Sequence, residues 1–276
     1  MRTARDDGRR ARSQGRRCGN GQRARRRGAA LTERESTGGR LYAGTSGFAY
    51  PAWSPRFYPP GLRPAEHLSF YAGRLTACEL NNTFYQQPTE PKVRAWLAAT
   101  PDNFRFAVKA QRGGAMRALL RDPAGSVPWL TAPLPWFGAR LGSVLYRVPG
   151  EVRLDLGRLE ALLAGWPAAI PLTMEFQDPS WHVDEVFTAL RGAGAALCAT
   201  ELPEDADSPD LRLTGPFLYL RLRRHDYSLE ALAAWAARLV PFLHSGIDAF
   251  AFFRHDDEGR ATEYAAALDR AVAELR

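Results

Sequence analysis

From Leu41 to the C-terminus, short apolar runs alternate eight times with stretches of helical periodicity. The runs are "LYAGT", "ACELN", "FRFAVKA", "SVLYRV", "LTMEF", "AALCAT", "FLYLRL" and "DAFAFF". Between them, Val183, Val186, Phe187 and Leu190 recur at helical spacing before Gly192, and Asp155 stands in capping position ahead of Leu156, Leu159, Leu162 and Leu163. Ser228 likewise precedes the stripe Leu232, Ala236, Leu239, Val240 and Leu243, and Tyr264, Leu268 and Val272 mark a last helix. The Gly- and Pro-rich segment between Lys109 and Leu141 should hold a helix whose ends the pattern does not fix. Strand alternating with helix implies parallel strands joined by crossovers. Eight such units in the residues after position 40 fit an α/β fold of the (β/α)8 TIM type, which usually takes about 250 residues. A doubly wound open sheet is the competing topology, but neither G-x-G-x-x-G after the first strand nor G-x-x-x-x-G-K-[ST] is present to support it.

In a barrel the side chains of each strand alternate between the lumen and the helix layer. Apolar parity turns Cys78 and Leu80 outward, leaving Glu79 and Asn81 inward. By the same rule Lys109, Thr173 with Glu175, and Tyr219 with Arg221 face the lumen. Each of these strands carries a polar or charged residue inward near its C-terminal end, where active sites of this fold assemble. Two readings stand: a functional pocket, or a buried ion-pair network that neutralises itself. Lysine occurs twice among 37 basic residues, as Lys92 and Lys109. An inward lysine in so arginine-rich a chain suggests an amine that can lose its proton, as base or imine-forming nucleophile, against the plainer alternative of a salt bridge to Glu79 or Glu175. Arg147 joins Arg221 as an anion clamp. His255 follows the last strand and could face the mouth. His67 and His244 fall in helical stretches and read as surface residues. The aromatics from Phe48 to Tyr58 either line a lip or pack their own loop. No compact ligand spacing marks a metal site, and nothing names a cofactor.

The charge is unevenly placed. Residues 1–40 hold 13 Arg and 4 acidic residues, a net of +9, whereas the whole chain is +7, so the remainder is −2. The tail lacks apolar periodicity and reads as disordered. An Arg run of this kind binds phosphate backbones through counterion release, but the body adds no basic surplus, so nucleic acid is not the favoured partner. Cys18, Cys78 and Cys198 are odd in number, far apart and without a CxxC pair, which suits buried thiols and a cytoplasmic location. No segment reaches the ~20 apolar residues of a membrane span.

The stretches "GTSGFAYPAWSPRFYPPGL", "CELNNTFYQQP", "NFRFAVKA", "MEFQDPSW" and "YLRL", in this order, closely resemble the domain of unknown function 72, or YecE-like, family. The resemblance implies a TIM-type barrel from about Leu41 to the C-terminus and no established activity. It supports Ser46, Tyr50, Trp53, Glu79, Asn81, Phe84, Tyr85, Lys109, Glu175 and Trp181 as site residues. The chain also departs from the family pattern. "RGGAM", Arg112 to Met116, replaces an expected Thr-His. Gln177-Asp178 replaces Arg-His, Leu222-Arg223-Arg224 replaces Leu-His-Gly, and Arg254-His255-Asp256 replaces Asn-Asn-Asp. These readings lead to an expected enzyme acting on a small polar or anionic ligand at the barrel mouth. Glu79, Lys109 and Glu175 are its catalytic candidates, and Ser46, Tyr50, Trp53, Asn81, Tyr85, Arg147, Trp181, Tyr219, Arg221 and His255 its binding candidates. A nucleic-acid or anion-binding module and a ligand-binding pseudoenzyme are the alternatives.

Overall fold

The computed structural model describes residues 38–205 and 207–276. The tail expected to be disordered lies outside these residues except for 38–40. Those three are packed under the barrel: Gly39 N–H donates to Leu243 O at 2.7 Å and Arg40 N–H to Asp248 Oδ1 at 2.7 Å.

Eight strands pair in parallel and in sequence order: β1 Leu41–Ser46, β2 Ala77–Leu80, β3 Arg105–Lys109, β4 Leu141–Val148, β5 Leu172–Phe176, β6 Ala196–Glu201, β7 Phe217–Leu222 and β8 Asp248–Phe253. β8 closes on β1, with Leu41 opposite Ala249 and Thr45 opposite Phe253. Closure leaves no free sheet edge. The parity expected from sequence holds: Cys78, Phe106, Val108, Met174, Phe176, Leu218 and Leu220 belong to the core between strands and helices. A separate core fills the lumen with unequal volumes. Tyr42, Phe217, Tyr219, Phe250 and Phe252 from β1, β7 and β8 face Ala77, Ala107 and Ala196 from β2, β3 and β6. Large residues from one side of the barrel set against small ones from the other let a narrow lumen be filled with side chains. Tyr42 stacks on Phe250 at 4.9 Å, and Tyr219 follows at 6.2 Å, so an aromatic column reaches up to the polar layer.

The helices are α1 His67–Ala72, α2 Glu90–Ala98, α3 Arg112–Leu120, α4 Pro123–Thr131, α5 Leu156–Gly165, α6 Asp184–Ala193, α7 Leu229–His244 and α8 Arg260–Glu274. Asp155 and Ser228 cap α5 and α7, accepting from the N–H groups of Arg158 and Ala231 at 3.1 and 3.2 Å. α6 ends not at Gly192 but at Gly194, where a φ of 65° supplies the left-handed turn that stops a helix. His67 is also buried, stacked on Tyr58 at 4.0 Å, because α1 lies beneath the aromatic loop that follows β1.

Two connections break the one-helix rule. The irregular segment after β3 forms two helices, α3 and α4. After β6, none of the described residues of 202–216 is helical: Pro203, Asp205, Pro209 and Asp210 offer turn residues and no apolar stripe. Cys78 and Cys198 are buried free thiols. Among the described residues no helix is long and apolar enough to cross a membrane.

Candidate functional site

β1 ends in a turn that only glycine fits easily. Gly47 has a φ of 91°, its N–H donates to Glu79 O at 2.8 Å, and a Cβ there would lie 2.5 Å from the Tyr50 hydroxyl. The turn folds Tyr50 back so that its hydroxyl donates to Ser46 O at 2.9 Å, and its ring stacks on His255 at 4.7 Å, 5° from parallel. The loops after β1 and β8 thereby meet over the mouth.

Beneath them, charges from three strands interlock. Glu79 Oε1 accepts from Ser46 Oγ at 3.0 Å and from Arg221 Nη2 at 2.9 Å, and its Oε2 accepts from the Tyr219 hydroxyl at 2.9 Å. Arg221 Nη1 donates to both Glu175 oxygens, at 2.7 and 3.0 Å, and Thr200 Oγ1 donates to Glu175 Oε1 at 3.2 Å. Arg147 Nε stands 3.4 Å from Glu175 Oε2 without a hydrogen bond. Glu79 is fully buried, and Glu175 and Arg221 are 2% and 3% exposed. Burial pushes the Glu175 carboxyl up, but the guanidiniums of Arg221 and Arg147 outweigh it and hold the group below the usual carboxylate range. Arg221 is affected in the mirror sense: burial lowers its pKa, and Glu79 with Glu175 more than restores it.

Above this floor lies a cavity of about 360 Å³ lined by Ser46, Tyr50, Asn81, Phe84, Tyr85, Lys109, Arg147, Arg221, Arg223, Arg254 and His255. Five of the eleven are Lys or Arg, and none is a carboxylate. Lys109 sits with its Nζ 4.4 Å from the centre of the Phe84 ring, and among the described residues it enters no salt bridge. Burial, followed by the nearby Arg221 charge, lowers its pKa to about 8. Burial and Arg221 likewise lower the pKa of Arg223, and burial, Arg254 and Arg223 lower that of His255. Burial raises Tyr50 to about 12. The Nε of Arg221 finds no hydrogen-bond acceptor among the described residues. The cavity is thus rich in donors and poor in acceptors, an arrangement that an anion completes.

A second cavity, about 530 Å³, opens where β6 lacks its helix, between Phe176, His182, Phe187, Leu202 and Pro209. It also touches Glu175 and shares Arg223 with the first.

The structure therefore gathers Ser46, Tyr50, Asn81, Tyr85, Lys109, Arg147, Arg221 and His255 around one cavity and sets Glu79, Glu175 and Tyr219 in or below its floor. Trp53 and Trp181 stand elsewhere. Trp53 is fully buried, with its Nε1–H donating to Asp256 O at 2.7 Å. Trp181 is fully buried too, stacked on Phe176 at 4.7 Å and donating to Val152 O at 2.7 Å. Both fix loops rather than meet a ligand, which corrects their expected place in the site. Arg223 and Arg254 are cavity residues absent from the expected set; their signal was the inward parity of Tyr219 and Arg221 and of Phe250 and Phe252, continued one step past β7 and β8. Asp256, beside them, turns away to accept from the N–H groups that open α8, including Ala261 at 2.7 Å. Among the described residues no three of His, Cys, Asp and Glu converge as metal ligands.

One family model, described as "Protein of unknown function DUF72", matches residues 42–276. A DUF72 family protein from Thermotoga maritima MSB8 superposes with a TM-score of 0.69 at 24% identity, over 85% of this chain and 99% of its own. A DUF72 family protein from Enterococcus faecalis V583 does so with a TM-score of 0.68 at 18% identity, over 85% and 98%. At these identities the likeness carries the fold alone. No curated protein matches the chain.

Proposed function

The chain belongs to the DUF72 family, and with that as premise we propose that its barrel mouth is an enzyme site for a small anionic substrate, held by arginines and acted on at Lys109. The observation that carries the reading is the cavity lining: Lys109, Arg147, Arg221, Arg223 and Arg254 around about 360 Å³ with no carboxylate among them. A self-neutralising structural network would place acids beside Lys109, Arg223 and Arg254 as well, as the floor does beside Arg221 and Arg147. The cavity size falls in the range of small-molecule sites, about 300–1,000 Å³. Cations that converge on one enclosed space suit a compact anion better than a polynucleotide, which needs them spread along a face.

In this reading Glu79 and Glu175 are positioning residues. Their oxygens are already occupied by Arg221, Tyr219, Ser46 and Thr200, so neither is free to exchange a proton with a ligand. They hold both Nη groups of Arg221, which fixes the guanidinium at the base of the cavity. Lys109, whose pKa is lowered to about 8, is the primary amine of the lining, and so the cation there able to act as a nucleophile rather than only attract charge.

Thermal melts in inorganic phosphate, pyrophosphate and citrate, each against sodium chloride at matched ionic strength, test the reading. The multivalent anions are expected to raise Tm well beyond the chloride control, and Arg223→Ala and Arg254→Ala to lose most of that rise. A Tm that follows ionic strength alone, equally in wild type and both variants, would remove it.

A further inference from the structure

We propose that the substrate is an anionic aldehyde or ketone and that Lys109 attacks its carbonyl carbon to form an imine. This inference rests on the anion site described above and adds the reacting group. Three observations carry it. Lys109 Nζ lines the cavity yet has no carboxylate partner among the described residues, so no ion pair has to be broken before it can react. It lies over the face of Phe84, an apolar neighbour that does not compete for the nitrogen lone pair once the proton has left. Arg221 and Arg147 both line the same cavity, so positive charge is in place for the negative oxygen that develops as the carbonyl is attacked. Crowding by cations together with burial favours the neutral amine, the form that acts as nucleophile.

The step balances without a further reagent. The lone pair of the neutral amine forms the C–N bond while the carbonyl π pair moves to oxygen. A proton then passes from nitrogen to that oxygen, giving a neutral carbinolamine. Loss of hydroxide and of the second amine proton, together one water, leaves the C=N bond. The acidic group of the substrate stays ionised throughout and lies among Arg147, Arg223 and Arg254, which sets the carbonyl rather than the acid against Lys109.

The chain supplies its own control, because its only other lysine, Lys92, lies on α2 over the Trp96 ring and outside the cavity. Wild-type protein is incubated with glyoxylate, pyruvate or glycolaldehyde phosphate, or with uncharged glycolaldehyde, and then reduced with borohydride. Borohydride adds hydride to the imine carbon and fixes the adduct as a secondary amine. Intact mass counts the adducts, and peptide mapping assigns them to Lys109, Lys92 or the N-terminal amine. At least one anionic carbonyl is expected to label Lys109 in many-fold excess over Lys92, and pyrophosphate to suppress that labelling, while glycolaldehyde shows no such preference. Lys109→Met should lose the adduct; should that variant fail to fold, the wild-type map still decides. Labelling that favours Lys92 or the N-terminus, or none at Lys109 with all three anions, overturns the imine. If the same anions still raise Tm, only the imine fails; if they do not, the anion site fails with it.

Discussion

Arg221, next to last on β7, and Lys109, last on β3, both point inward, and both are largely buried, at 3% and 8% exposed. Arg221 is clasped by Glu79 and Glu175, whereas Lys109 lies over an aromatic ring and, among the described residues, enters no salt bridge. The same contrast separates the two layers of the mouth. In the floor every charge has its opposite at hydrogen-bond distance. Around the cavity, neither Lys109 nor Arg223 nor Arg254 enters a salt bridge among the described residues, and like charges shift one another's titration. Burial alone therefore does not distinguish a working charge from an architectural one. Pairing is where the two differ: an unpaired, crowded cation carries a stability cost that a bound anion would offset. Glu79, Lys109 and Glu175 stand in the stretches that resemble the DUF72 pattern, while Arg223 and Arg254 stand where the chain departs from it. The departures at Arg223 and Arg254 add positive charge to the rim, and none of the departures falls on Glu79, Glu175 or Arg221.

The sharpest way to break the comparison is to remove the floor's cation. Arg221→Met would strand Glu79 and Glu175 side by side without solvent, and breaking such a pair costs about 3–5 kcal/mol. Denaturant unfolding at pH 7 should show that loss, the largest of any substitution in the mouth. Adding Glu79→Gln and Glu175→Gln to Arg221→Met should recover a good part of it, since the two carboxylates would no longer be stranded as charges. A wild-type-like midpoint for Arg221→Met would mean that the floor is not a paired unit, and the contrast with Lys109 would collapse.

How much of this was legible follows from where each residue sits. On the strands, period-two alternation turned every apolar outward residue into a statement about its neighbour, which is why Glu79, Lys109, Glu175 and Arg221 could be assigned inward from sequence. Partners could not be assigned: parity says which face a side chain takes, not which of two carboxylates a guanidinium reaches across the lumen. Arg223 and Arg254 lie one residue past their strands yet keep the inward parity of Arg221 and Phe252, so alternation carried one step beyond the apolar runs would have placed them. Trp53 and Trp181 show the reverse: aromatic residues in loops at the correct end of the barrel suggested a lip, yet their N–H groups were taken by the carbonyls of Asp256 and Val152, which drew both rings into the core. The missing helix after β6 was marked by Pro203, Asp205, Pro209 and Asp210, but the eightfold strand count spoke for a regular repeat.

Lys109 affects stability with the opposite sign. Its folded pKa of about 8 lies below the ordinary 10.5, so the unfolded chain binds the proton more tightly. Charging it therefore opposes folding by up to roughly 3 kcal/mol, fully below pH 8. That penalty fades as the pH rises from about 8 to 10.5, where the folded state has already released the proton. Lys109→Met should thus unfold later than wild type at pH 7, and the difference between the two should shrink over that window. Equal stability at both ends, or a less stable variant at pH 7, would show that Lys109 is paired after all.

The smallest expected effect concerns the rim arginines, where stability should hardly respond while ligand response does. Arg254 is exposed, and half-buried Arg223 is crowded by Arg221, so Arg223→Ala and Arg254→Ala each remove a cation that no acid of the described residues balances. Their unfolding free energies should stay within about 0.5 kcal/mol of wild type, as for surface sites without special partners, with any shift for Arg223→Ala on the stabilising side. Arg147→Ala should fall between rim and floor, because Arg147 lies 3.4 Å from Glu175 and helps to keep that carboxylate ionised. Equilibrium melts of the three variants without ligand therefore give an order, Arg147→Ala below Arg223→Ala and Arg254→Ala. The structural-network reading gives no reason for that order, since it makes every cation of the mouth a counter-charge. If Arg223→Ala instead lost as much stability as Arg221→Met, rim and floor would be one network, and the cavity would hold its arginines for the fold rather than for an anion.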